Sequence, residues 1–241
     1  MRVERFVPNI LTSLNLICGF LAIALSGVRP IEEVAFYIIF ATLFDFADGF
    51  AARLLNAQSE LGKQLDSLAD VVSFGVAPAV LILHSLIFKN AYALEGELYF
   101  YTSVGCCVLI PVFSALRLAR FNSDTRQKNH FIGLPTPANA LFLICIPFLP
   151  THPTYGHLID YFLINNFGIT VVCALSCVLL VAPISLISMK IQLNRLQDYP
   201  MHIVLLVCTV VCVPAIGTLS APVLLVVYLL VSQIHFRFFN R

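Results

Sequence analysis

Eight apolar stretches, near residues 10–27, 31–55, 64–88, 99–120, 134–149, 167–189, 202–216 and 222–236, follow one another with only short polar segments between them. About 20 apolar residues in a helix cross the hydrocarbon core of a bilayer, and a helix satisfies its backbone polar groups internally. The runs therefore predict an all-α, polytopic membrane helix bundle of about eight transmembrane helices. Composition agrees, since 59% of the 241 residues are hydrophobic and 11% charged, too few polar side chains to cover a soluble domain. The chain reads as a single integral-membrane domain over 1–241 with no internal repeat. The last two stretches are short, and one kinked helix broken at Pro214 and Gly217 would reduce the count to seven.

Lys and Arg are retained on the cytoplasmic side of membranes. With eight spans, Arg29 and Lys89 fall outside and the other twelve of the 14 Lys and Arg fall inside. That bias predicts a multi-pass protein of the cell (inner) membrane with both termini cytoplasmic, whereas seven spans would put Arg237 and Arg241 outside. The net charge of +1 gives no reason to expect a nucleic-acid partner. The start MRVERF before an apolar run has the look of a secretory signal, but Asn15 within the run favours a retained first helix. The eight cysteines all fall in spans, form no C-x-x-C pair and read as small packing residues. The histidines show no metal-ligand spacing.

Four aspartates break the apolar pattern. Asp45 and Asp48 are three apart on the second stretch, and Asp66 and Asp70 four apart on the third, so each pair shares a helix face. The turn between them centres near Gln58, about midway from Asp45 to Asp70, so an antiparallel hairpin brings both pairs to one depth near the cytosol. Each carboxylate at the centre of a membrane helix costs roughly 2.5 to 3.5 kcal/mol. Hard divalent cations offset that cost, because carboxylate oxygens suit Mg²⁺, Mn²⁺ or Ca²⁺ and can bridge a pair of ions. Gly49, Ala52 and Gly62 leave room beside the acidic faces, and Arg53 offers a guanidinium to a phosphate or to an aspartate. A carboxylate–arginine packing network, or the cation pathway of a transporter, would also place carboxylates in a bundle. Neither calls for the glycines, and no repeat supports a transporter.

Together Asp45, Asp48, Gly49, Ala52, Arg53, Gly62, Asp66 and Asp70 form D-x-x-D-G-x-x-A-R, eight residues, then G-x-x-x-D-x-x-x-D. This resembles the signature of the CDP-alcohol phosphatidyltransferase family. The resemblance implies displacement of CMP from a CDP-linked lipid by an alcohol hydroxyl, with no covalent enzyme intermediate. It implies a pair of divalent cations, Mg²⁺ or Mn²⁺ with Ca²⁺ as a further candidate, held by Asp45, Asp48, Asp66 and Asp70. Asp70 would also take the proton of the attacking hydroxyl. Gly49, Ala52, Arg53 and Gly62 would wall the nucleotide of the CDP-lipid, and a homodimer is the assembly such a resemblance suggests.

Two further segments resemble the phosphatidylserine synthase branch of that family. They are PNILTSLNLICGF at 8–20, and LRLARFN at 116–122 followed by FIGLPTPANA at 131–140. The branch implies CDP-diacylglycerol from the membrane and L-serine from the cytosol as substrates; glycerol phosphate, inositol phosphate and other amino alcohols are the alternative acceptors. In the first segment Asn9 and Thr12 are candidates for CDP-lipid contact, and Thr12 and Asn15 can share a helix face. Helix initiation also accounts for Pro8 and Asn9. In the second, Arg117, Arg120 and Asn122 are the serine-binding candidates, since a guanidinium suits a carboxylate. Positive-inside flanking explains the two arginines equally well. Gly133, Pro135 and Pro137 predict a stiff turn at the start of the fifth stretch.

Overall fold

The computed structural model describes residues 6–88, 97–124, 131–164, 167–186, 208, 212 and 216–238. Its helices are α1 (Phe6–Leu25), α2 (Ile31–Leu54), α3 (Glu60–Asp70), α4 (Ala77–Ile82), α5 (Glu97–Ser123), α6 (Thr136–Cys145), α7 (Gly156–Ile164), α8 (Phe167–Val181) and α9 (Ser220–Phe238). Two short strands, β1 (Phe131–Ile132) and β2 (Ser185–Leu186), pair antiparallel with Phe131 opposite Leu186. The protein is a polytopic membrane protein. Phe6–Leu25, Ile31–Leu54, Glu60–Ser85 and Phe100–Ser123 are each long and apolar enough to cross a bilayer, and the pair Gly156–Leu163 and Phe167–Val181, bent by 82°, brings the number to as many as five.

This is fewer than the eight spans expected, for identifiable reasons. The 202–216 stretch lies almost wholly outside the described residues, as do Arg2, Arg5, Lys89, Arg126, Lys128, Lys190, Arg195 and Arg241 from the charge argument. The fifth stretch is only Thr136–Thr151, because Pro147 and Pro150 wind Ile146–Thr151 into a 3₁₀ helix. The greater rise of that form extends the run to roughly 27 Å, close to the hydrocarbon thickness. α7 is helical where the sequence alone predicts an outer loop, its apolar side chains turning sharply into α8.

Large apolar side chains point outward and small or polar ones inward, as suits helices that meet one another within lipid. On α2, Phe36, Phe40, Phe46 and Phe50 are exposed while Val34, Ala35, Ile38, Ala41 and Asp48 are buried. On α1 the buried residues Pro8, Thr12, Asn15, Gly19 and Ala22 recur at helical spacing and form one stripe. Gly19 belongs there because a Cβ would stand 2.7 Å from Ser73 Cα. The core joins α1 and α2 to Phe74, Leu81 and Ala140, and joins α5 to α8 through Cys107, Ile110, Cys173 and Cys177. The cysteines are free, and Cys107 Sγ donates to Ala79 O at 3.1 Å.

Between α3 and α4 the helix widens into a π-helical turn, Val71–Val76, in which Ala77 N–H reaches Val72 O. Pro78 explains the widening, since it lacks an N–H for Phe74 O and its ring crowds that carbonyl. The turn begins one residue after Asp70 and presses Gly75 against α5, where a Cβ would lie 3.1 Å from Pro111 Cα.

Candidate active site

α2 and α3 form the hairpin that the spacing of the aspartates predicts. The chain reverses after Leu54 through Asn56, at a left-handed φ of 49°, and Ser59 caps α3 by accepting from Gly62 N–H at 3.0 Å. Asp45, Asp48 and Asp66 are thereby gathered, one carboxylate oxygen of each lying within 4.8 Å of the others. Asp48 is buried and the other two are half-buried. Carboxylates this close repel one another, and a set of hard oxygens from two helices fits a divalent cation. Asp70 stands one turn further along α3, only 6% exposed, and interacts electrostatically with all three.

α1 serves the two buried carboxylates. Thr12 Oγ1 lies 2.6 Å from Asp48 Oδ2 and 3.0 Å from Pro8 O; its single proton favours the carboxylate, the stronger acceptor. Asn15 Nδ2 donates to Asp70 Oδ1 at 3.2 Å, and Ser73 Oγ donates to Asn15 O at 3.0 Å. Asn15 Oδ1 is buried without a hydrogen-bond partner among the described residues. The sequence places Asn15 on the correct face but does not reveal its carboxylate partner, and Ser73 escapes notice altogether. Its position three residues after Asp70 is the one signal that points to it.

The small residues of the motif border this cluster. A Cβ on Gly62 would stand 3.3 Å from Asn9 Oδ1, and one on Gly49 would stand 3.5 Å from Arg53 Nη1. Arg53 is exposed and interacts with Asp48, while Ala52 is half-buried on the same helix. Asn9, Gly49, Arg53 and Gly62 thus surround the hairpin's acidic side, with Thr12 committed to Asp48.

α5 brings the remaining candidates. Arg117 is 6% exposed, its guanidinium carbon 5.3 Å from the Phe121 ring centroid, and it interacts electrostatically with Asp70, Tyr228 and Asp45. Arg120 is exposed. Asn122 Nδ2 donates to Ser67 Oγ at 2.7 Å while its carbonyl accepts from Lys63 Nζ at 3.2 Å, which braces α5 against α3. Arg117, Arg120 and Asp124 border a cleft of about 550 Å³ whose facing wall includes Ile132, Leu180 and Pro183. The glycine–proline turn builds that wall. Gly133 has φ 80°, Gly133 N–H bonds to Ile184 O and Leu134 N–H to Leu179 O, each at 2.9 Å, and a Cβ on Gly133 would overlap Leu180 O.

Fold and site together define a membrane-embedded helix bundle with a cluster of carboxylates on a helical hairpin that could hold a metal ion. The family model for CDP-alcohol phosphatidyltransferase matches residues 5–180, and the chain belongs to that family. It is 35% identical over 144 residues to a CDP-diacylglycerol–serine O-phosphatidyltransferase of Bacillus subtilis, covering 60% of this chain and 76% of that protein. A protein of the same name from Methanocaldococcus jannaschii is 37% identical over 160 residues, 66% of this chain and 65% of the relative. An archaetidylserine synthase of Methanothermobacter thermautotrophicus is 36% identical over 145 residues, 58% of each. The chain therefore spans about three quarters of the first relative and less than two thirds of the other two.

Proposed function

We propose that the chain transfers the phosphatidyl group of CDP-diacylglycerol to the hydroxyl of L-serine, giving phosphatidylserine and CMP. Family membership supports the reaction type, and the serine and archaetidylserine activities named for the relatives support the acceptor. The observation that carries the mechanism is the convergence of Asp45, Asp48 and Asp66 on the α2–α3 hairpin.

Asp45, Asp48 and Asp66, with Asp70 at their inner edge, would hold a pair of Mg²⁺ or Mn²⁺ ions. When bound, such ions neutralise the diphosphate and stabilise the departing CMP. Asp70 takes the proton of the serine hydroxyl. Asn15 fixes its Oδ1 and leaves the other carboxylate oxygen for that proton. The serine oxygen bonds to the phosphorus that bears the diacylglycerol as the bond from that phosphorus to the CMP oxygen breaks, and no covalent enzyme intermediate forms. Asn9, Gly49, Ala52, Arg53 and Gly62 accommodate the CDP-lipid. Arg117 and Arg120 receive the serine carboxylate, and Asn122 sets the end of α5 beside Asp66.

The Lys63–Asn122 contact supports a site at one end of the bundle. In this reading that end faces the cytoplasm of an inner-membrane protein with eight spans, both termini inside, working as a homodimer. In lipid vesicles containing the purified protein, CMP release from CDP-diacylglycerol should require both L-serine and a divalent cation, and a chelator should stop it. Release with glycerol phosphate or inositol phosphate but not L-serine moves the reading to another acceptor. No release with any acceptor overturns it.

A further inference from the structure

Arg117, buried at the edge of the cleft, has neighbours of three kinds. The Phe121 ring centroid lies 5.3 Å from its guanidinium carbon, Asp70 and Asp45 attract it, and it interacts electrostatically with the phenol of Tyr228 on α9. Tyr228 is only 6% exposed and packs with Leu134, in the glycine–proline turn, and with Leu186 of β2. From the same helix Gln233 Nε2 donates to Ser185 O of β2 at 3.0 Å. β2 in turn pairs with β1 at Ile132, which lines the cleft. One side chain of α9 thus ties the helix to the cleft wall, and another reaches the guanidinium. The family match ends at residue 180, so α9 lies outside the matched segment.

We infer that Tyr228 is a positioning residue for the acceptor, its phenol oxygen accepting from Arg117 and holding the guanidinium toward the cleft. This rests on the reading of L-serine as acceptor and of Arg117 as a group that receives its carboxylate. Opposite charges attract strongly where little solvent screens them, so Asp70 and Asp45 draw Arg117 away from the cleft. A guanidinium drawn fully onto Asp70 could neither receive an acceptor's carboxylate nor leave that base free to take a proton. The Phe121 ring engages only the charge and accepts no N–H in the guanidinium plane. A phenol oxygen accepts one of the five N–H donors without neutralising the charge, as a carboxylate partner would. Arg117 therefore stays cationic for an anionic ligand. In this way α9 completes a cleft whose lining comes from α5, β1 and the end of α8.

The test uses the full-length protein in lipid vesicles with CDP-diacylglycerol and a divalent cation, following CMP release as L-serine is varied. Tyr228→Phe keeps the ring that packs on Leu134 and Leu186 and removes only the hydroxyl. It should raise the KM for L-serine about tenfold, the usual worth of a hydrogen bond to a charged group. At saturating L-serine the bound carboxylate draws Arg117 back, so kcat and the KM for CDP-diacylglycerol should change much less. Leu229→Ala is the control, because it opens a gap against the same apolar cluster and removes no polar group. It should lower thermal stability in detergent more than Tyr228→Phe does and leave the KM for L-serine near the wild-type value. An unchanged KM for L-serine in Tyr228→Phe overturns the inference. An equal rise in Leu229→Ala also overturns it, and would make α9 a packing element only. If the wild type releases no CMP with L-serine, the functional reading fails and the inference with it; serine-dependent turnover indifferent to Tyr228 fails the inference alone.

Discussion

Asp70 differs from its three companions in what holds it. Asp45, Asp48 and Asp66 present oxygens to one another, whereas Asp70 is buried beside Asn15 and interacts with Arg117. A carboxylate steadied by a neutral amide keeps one oxygen for proton transfer, so Asp70→Asn should lower turnover by about 10²- to 10⁴-fold, the usual worth of a general base. CDP-diacylglycerol binding, measured directly by equilibrium binding to the same vesicles, should change only severalfold, and near wild-type turnover would remove Asp70 from the base role. Thr12 acts through Asp48 across a 2.6 Å contact. Thr12→Val keeps the shape and removes that hydroxyl. The cation concentration for half-maximal CMP release should rise roughly 10- to 100-fold, as when residues that orient metal ligands are lost. An unaltered cation titration would assign Thr12 to the lipid instead.

At the scale of elements, α1 and the π-turn work as a pair. Gly19 lets α1 lie against Ser73, and that closeness brings Asn15 and Thr12 to the carboxylates. Gly19→Ala should destabilise the protein by about 1–3 kcal/mol, the range for overpacking a tight contact. It should also reduce turnover more than its thermal shift in detergent implies, because the donors to Asp70 and Asp48 move away together. A variant as stable and active as the wild type would show that α1 does not position the site. The hairpin was legible in the sequence because three- and four-residue spacings have one helical meaning, and the two pairs lie at matched distances from a turn near Gln58. The π-turn was not, since Val71–Val76 is as apolar as its neighbours and Pro78 alone announces only a break. α7 was hidden by length, being too short to suggest a span. Arg117 and Arg120 were visible as charges, but only the fold shows the first buried toward Asp70 and the second at the surface.

For the whole molecule, the proposed function requires that the carboxylate hairpin and the end of α5 lie at the same end of the bundle. The hairpin turn and the end of α5 come from segments separated by a full crossing in each direction, yet Lys63 and Ser67 touch Asn122. A water-soluble acceptor and a lipid-borne donor can meet only if that end is in contact with both the aqueous phase and the headgroup layer, and mid-membrane carboxylates would exclude the former. Exposed positions make this measurable, namely Gln58 in the hairpin turn, Ser123 at the end of α5 and Arg29 after α1. Cysteine placed singly at each, with the wild type as control for its free cysteines, can be labelled by a membrane-impermeant maleimide in sealed vesicles of known orientation. Gln58→Cys and Ser123→Cys should react from the same side, and Arg29→Cys from the other. The excess of Lys and Arg predicts that the shared side is the cytoplasmic one. Labelling of Gln58→Cys and Ser123→Cys from opposite sides would separate the acceptor cleft from the carboxylates and remove the basis for direct displacement between them.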